Sequence, residues 1–158
     1  MGMKKKHHYK ATVTWTGNRG TGTSEYTGYD RQHTISIFGK PDVLGSSDAS
    51  FRGDKDRYSP EDSFVAACSA CHMLWYLHLC SVNNFIVEKY VDNVSATMIE
   101  NEDGSGQFQE ITLAPIVTVR SADMIEKART LHHDANKMCF LARSVNFPVH
   151  HAPQIILP

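Results

Sequence analysis

The chain has 158 residues and a mass of 17.7 kDa, with 16 Lys+Arg against 17 Asp+Glu, 9 His and 4 Cys. A single domain over residues 1–158 fits that length, and a chain of this size buries roughly 70% of its unfolded surface without disulfide staples. The formal net charge of −1 excludes the clustered basic face that phosphate binding requires, so no nucleic-acid partner is expected.

The one basic run, Lys4-Lys5-Lys6 beside His7 and His8, reads as part of a solvated, flexible terminus over residues 1–8. No apolar stretch of about 7–15 residues follows it, so no secretory signal is expected. The longest uncharged run is Ser63 to Val87. Its most apolar part, Phe64 to Cys80, carries Ser69, His72 and His78 and is at the short end of the roughly 17–25 residues a membrane span needs. A buried core helix fits better, and the chain reads as a soluble cytoplasmic protein with reduced thiols and no membrane partner.

Residues 9 to 38 read as strands. Tyr9, Ala11, Val13 and Trp15 alternate with Lys10, Thr12, Thr14 and Thr16, the period-2 pattern of a half-buried strand. The glycine-rich turn Gly17–Gly22 interrupts it, and weaker strands are expected at Ser24–Tyr29 and His33–Phe38. Gly39 to Tyr58 shows no periodicity and reads as a long loop of the kind that often carries function.

A helix start follows at Ser59-Pro60-Glu61-Asp62. Ser at the N-cap, Pro at the first helical position and acids in the first turn each suit free backbone N–H groups. Ser59 and Asp62 also form a capping-box variant. The helix should reach Val82, with Phe64, Cys68, Cys71, Trp75 and His78 along one stripe. Its other faces are apolar too, which makes it central. Two strands, Ile86–Glu100 and Gln107–Val119, should pair as a hairpin through Asp103-Gly104-Ser105-Gly106. A second helix from Ser121 to Phe140 places Ile125, Ala128, His132, Ala135 and Cys139 on one seam, and a last strand covers Ser144–His150. The expected order is βββ–α–ββ–α–β, an α+β fold with helices packed on antiparallel sheets.

The segment Cys68-Ser69-Ala70-Cys71-His72 matches three short motifs. C-x-x-C-H is a haem attachment pattern, but here it sits mid-helix among core residues. C-x-x-C is a redox pair, yet Cys68 lies two turns past the cap, where the helix dipole has faded, and helical geometry rarely suits a disulfide. The two thiols with His132 and His133 could form a metal site, but no second close-spaced thiol pair supports it. Neither metal nor cofactor is therefore expected. Cys80 and Cys68 read as small core hydrophobes, and His72 as a hydrogen-bonded core or interface residue.

Cys71 and Cys139 differ, because each lies on the seam of its own helix. One helix opens with Glu61, and two Arg-bearing glycine-rich segments precede it, Gly17-Asn18-Arg19-Gly20 and Phe51-Arg52-Gly53. Two thiols, a guanidinium and a carboxylate are what a thiol peroxidase needs. A cation must favour the attacking thiolate, Arg stays charged and can also hold a peroxide oxygen, and a carboxylate orients the Arg. A second thiol must trap the sulfenic acid before further oxidation.

Ser59-Pro60-Glu61-Asp62, then Ala66-Ala67-Cys68-Ser69-Ala70-Cys71, then Cys139 on the later helix, resemble the OsmC/Ohr family of osmotically induced and organic hydroperoxide resistance proteins. Asn146-Phe147-Pro148-Val149 is similar to an OsmC-like branch. The resemblance implies an OsmC-like fold and an intertwined homodimer with active sites at the subunit interface. It makes Cys71 the peroxide-attacking cysteine, Cys139 the resolving cysteine in a Cys71–Cys139 disulfide, and Glu61 the carboxylate that holds the catalytic Arg. Arg19 matches the position used in the Ohr branch, and Arg52 lies near the one used in the OsmC branch. The shorter turn around Arg19 favours it. Departures are the extra thiol Cys68, His72 where many members carry Phe, and Phe140 where many carry Pro. The function implied is reduction of organic hydroperoxides, and of hydrogen peroxide, with a dithiol such as dihydrolipoamide as reductant. The alternative is a non-enzymatic dimer of the same fold with structural thiols.

Overall fold

The computed structural model describes residues 5–158, so residues 1–4 of the expected flexible terminus lie outside the described residues. Residues 5–11 are exposed and carry no regular structure. The chain divides into two compact units, Met1–Ser63 and Phe64–Pro158.

In the first unit, β1 (Thr12–Trp15), β2 (His33–Ser36) and β3 (Val43–Gly45) form an antiparallel sheet in the order β1-β2-β3. Val13 lies opposite Ile35, and Thr34 opposite Leu44. The expected half-burial of β1 is not found: all four of its residues are exposed. The reason is that no residue of this sheet belongs to either hydrophobic core cluster of the chain.

Ser24–Tyr29 forms turns instead of a strand, apart from one bridge between Asn18 and Tyr29. Its carbonyls are taken by side chains, which removes them from any ladder. Arg31 donates to the carbonyls of Tyr29 and Tyr26, and Arg19 to that of Thr27. The 39–58 segment, expected to lack structure, contains β3 and a 3-10 turn at Ala49–Phe51, where Asp48 accepts the N–H of Ser50 at 2.7 Å.

The first helix, α1 (Pro60–Val82), starts where its caps predict. Ser59 Oγ accepts the Asp62 N–H at 3.0 Å, and Asp62 Oδ2 accepts the Ser59 N–H at 3.0 Å, which completes the capping box. Within the chain its buried residues are Cys68, His72, Tyr76 and Cys80, spaced four apart. This line is narrower than the expected stripe and rotated from it. Ala66, Ala70, Leu74, His78 and Val82 form an exposed line at the same spacing.

The second unit holds β4 (Val87–Asp92), β5 (Ser95–Glu100), β6 (Gly106–Leu113), β7 (Pro115–Val119), α2 (Ile125–Met138), β8 (Val149–His151) and β9 (Gln154–Ile156). The two long strands expected after α1 are thus four. Each breaks at the same level, at Asn93-Val94 and at Ala114, where Asp92 Oδ1 captures the Ala114 N–H at 2.7 Å. Pro115, which has no N–H to give a ladder, follows. The hairpin turn is as expected and joins β5 to β6, with Gly104 at φ 81°.

The sheets are ordered β4-β7-β9 and β5-β6-β8. They are mixed rather than wholly antiparallel: β8 runs parallel to β6 and β9 parallel to β7, because both follow the helical crossover α2. The C-terminal region yields two short strands where one was expected, since residues 142–144 turn locally, with Ser144 Oγ donating to the Phe140 carbonyl at 2.7 Å. One apolar cluster joins Tyr76 and Cys80 of α1 to Val117, Val119, Ala128, Leu131 and Ala135. A second joins Cys68 to Ile111 and Leu113, with Phe64, Leu141 and Phe147 around them. The fold class is α+β, as expected.

Candidate active site

Cys71 is half-buried on α1, and Cys139 is buried at the C-cap of α2, so both expected thiols lie in the second unit. The backbone of Cys139 opens to φ −65°, ψ 114°, ending the helix there. Its N–H still bonds the Ala135 carbonyl at 2.9 Å, so the sulfur is held by the helix although the chain has left it. The Cys139 sulfur accepts the Ala142 N–H at 3.5 Å, and Cys71 is its neighbouring thiol.

Burial pushes the Cys139 thiol up to about 11, the neighbouring Cys71 thiol adds to this, and the Ala142 N–H works against it. Burial therefore favours the protonated form of Cys139. Cys68, one turn before Cys71, is also pushed up, by burial and then by the neighbouring Cys71 sulfur. Burial raises Cys80 to about 11 at the far end of the helix. The expectation that Cys68 and Cys80 are core residues agrees with their membership of the two apolar clusters. Aromatic rings stand next to the thiols: Trp75, one turn after Cys71, meets Phe140, next to Cys139, edge to face at 5.5 Å. Leu74, Trp75 and His78 line a cavity of about 220 Å³.

His72 is fully buried and hydrogen-bonded to His132 at 3.0 Å, a core histidine rather than a base facing the thiols. Sequence reasoning put His132 on the α2 seam, but a partner 60 residues away carries no periodic signal.

In the first unit, Glu61 sits in the opening turn of α1 with Oε2 buried and without a hydrogen-bond partner. Arg19 is committed to its own turn: it donates to the Thr27 carbonyl at 2.6 Å and lies 3.6 Å from Asp30. Arg52 adopts φ 64°, and its guanidinium stands 5.8 Å from the centroid of the Tyr26 ring. The turn is pinned by Gly53, where a Cβ would collide with the Ser47 carbonyl. Asp54 is engaged by Arg57 and Gln32, so it does not neutralise Arg52. Arg31, which sequence reasoning passed over, stacks on Tyr26 at 4.6 Å and Tyr29 at 4.2 Å and so holds the ring beneath Arg52.

The sequence profile described as OsmC-like protein matches residues 53–152. Among solved structures, an OsmC-like protein of unknown function from Vibrio cholerae is 27% identical, with a TM-score of 0.83 over 94% of this chain and 99% of that one. An organic hydroperoxide resistance protein from Elizabethkingia anophelis, crystallised with thiocyanate, is 16% identical, with a TM-score of 0.71 over 99% and 100% of the two chains. An organic hydroperoxide resistance protein OsmC from Legionella pneumophila is 14% identical, with a TM-score of 0.69 over 96% and 98%. The last two likenesses are of fold. No curated protein matches.

Proposed function

The chain belongs to the OsmC-like protein family, and from that premise we propose that it is a two-cysteine thiol peroxidase that reduces organic hydroperoxides. The observation that carries this reading is the meeting of two thiols from separate segments, a half-buried Cys71 on α1 and a buried Cys139 at the C-cap of α2. The half-buried Cys71 is the more open of the two to an incoming peroxide and the buried Cys139 the less, which divides the roles.

In the proposed cycle the Cys71 thiolate attacks the terminal oxygen of the hydroperoxide. The S–O bond forms, the O–O bond breaks, and the alkoxide takes a proton and leaves as alcohol; hydrogen peroxide gives water by the same step. Cys139 then attacks the sulfenic sulfur, the S–S bond forms, and water leaves with the Cys139 proton. An external dithiol reduces the disulfide. The rings of Trp75 and Phe140 beside the thiols favour an alkyl hydroperoxide over hydrogen peroxide.

Arg52, rather than Arg19, is proposed as the activating cation. Arg19 already has a carbonyl and a carboxylate, whereas Arg52 has only a ring face among the described residues, leaving its donors for an anion. Glu61 is proposed to orient it, and its unpartnered Oε2 supports that role. The exposed apolar line on α1 supports a homodimer.

Purified protein supplied with cumene hydroperoxide and a dithiol tests the reading. Wild type should consume peroxide and Cys71→Ser should not. Activity retained in Cys71→Ser, or lost instead in Cys68→Ser, would defeat the assignment.

A further inference from the structure

The inward line of α1 is not uniformly apolar. Cys68 belongs to the cluster against β6, Tyr76 and Cys80 to the cluster against β7, and His72 lies between them with no exposed surface. His72 Nε2 is 3.0 Å from His132 Nδ1. The ring centroids are 5.3 Å apart and the planes differ by 5°. The excess of the centroid distance over the nitrogen distance is about the two ring radii, so the rings lie end to end in one plane. That is an in-line N–H···N bond between two imidazoles, not a stack.

A bond of this kind needs one ring to donate and the other to accept, so both must be neutral. Burial holds both neutral: His72 falls to about 4 and His132 to about 3, each lowered further by its histidine neighbours. The groups facing the pair are His151 of β8, Tyr76 of α1 and Tyr90 of β4, none of which is a carboxylate. The outer atoms, His72 Nδ1 and His132 Nε2, are buried and have no partner. Two buried imidazoles with half their polar atoms unmatched are a costly way to fill a core. A pair of leucines would do it without that cost.

The placement explains what is gained. His72 directly follows Cys71, and His132 precedes Cys139 by two turns on the same face of α2. Among the described residues this is the one side-chain hydrogen bond from α1 to α2. Apolar packing tolerates sliding between helices, whereas an in-line hydrogen bond does not. We infer that His72 and His132 are positioning residues, which lock α1 and α2 in the register that lets Cys71 and Cys139 form their disulfide. This rests on the proposed pairing of those thiols, though not on any reaction with peroxide.

Equilibration with glutathione tests it, because it needs no hydroperoxide. The protein dithiol and glutathione disulfide exchange to protein disulfide and two glutathione thiols, with peptide mapping to identify the Cys71–Cys139 link. The ratio at equilibrium gives the effective concentration of one thiol at the other. The double variant His72→Leu/His132→Leu should lower it on the order of tenfold, while unfolding no more easily than wild type. His132→Asn, which keeps a polar atom where Nδ1 stands, should stay within about twofold of wild type. His132→Gln, whose amide reaches past that point, should show the loss, and this pair of single changes decides the matter if the double variant does not fold. An unchanged equilibrium in the folded double variant, or in His132→Gln, overturns the inference. A protein that ignores hydroperoxide yet shows these shifts would defeat only the enzymatic reading.

Discussion

Asp92 reaches from the end of β4 to Ser69, between the two cysteines of the Cys-x-x-Cys segment, at 2.5 Å. Its other oxygen accepts the Ala114 N–H at 2.7 Å. One carboxylate thus ties the middle of α1 to the level at which both long strands break. Asp92→Ala leaves the Ala114 N–H and the Ser69 hydroxyl without that acceptor, and should cost about 1–3 kcal/mol. Urea unfolding measures it. Ser69→Ala should cost less, because it removes only one of the two bonds.

The thiol roles are separable by product. Cys139→Ser should still react with peroxide, but its Cys71 sulfenic acid has no trapping thiol and a second equivalent of peroxide should carry it to sulfinic acid, seen as two added oxygens by intact mass. In wild type, one equivalent of peroxide should give a Cys71–Cys139 link that a dithiol reverses. A dominant Cys68–Cys71 link would instead make the helical Cys-x-x-Cys the redox unit.

The two arginines predict different losses. Arg52→Ala should slow alkylation of Cys71 by iodoacetamide at neutral pH and cut peroxide turnover by on the order of a hundredfold, the scale of one lost charge-stabilising donor. Arg19→Ala should leave chemistry largely intact and loosen its turn, because its donor serves Thr27. The reverse ranking would return the role to Arg19.

Leu74 is 63% exposed and Val82 61% on the uncovered line of α1. Leu74→Glu places a charge there and should shift the proposed dimer toward monomer, measured by sedimentation velocity. A sedimentation coefficient identical to that of wild type would place the interface elsewhere.

The buried histidines set an acid limit. Unfolded, both imidazoles titrate near 6.5; folded, burial holds His72 at about 4 and His132 at about 3. Between those values the unfolded chain binds protons that the native state refuses. Their contribution is therefore complete above 6.5, declines as the pH falls, and levels off below about 3. The carboxyls of Asp48, Asp54 and Asp103, held below their ordinary 3.8 by hydrogen bonds, weaken the fold only at lower pH. Urea midpoints measured from neutrality down to about pH 4.5 should fall in wild type and fall less steeply in His72→Leu/His132→Leu, where His151, also lowered by burial, still contributes.

The local features of this chain were legible in its residues. Ser59-Pro60-Glu61-Asp62 specifies the start of α1 because capping is a matter of adjacent donors and acceptors, and Asp103–Gly106 specifies a hairpin for the same reason. The spacing of Cys71 and Cys139 on two helices pointed to a thiol pair, and the family motif placed the fold. Tertiary structure alone decided the rest. Which line of an evenly apolar helix turns inward depends on the sheets it meets, so Cys68, His72, Tyr76 and Cys80 could not be singled out beforehand. The breaks at Asn93 and Ala114 arise because Asp92 captures an N–H from a strand distant in sequence. The histidine pair is likewise a relation across 60 residues. Periodicity encodes neighbours along the chain; it carries nothing about which distant polar atoms will share one buried bond.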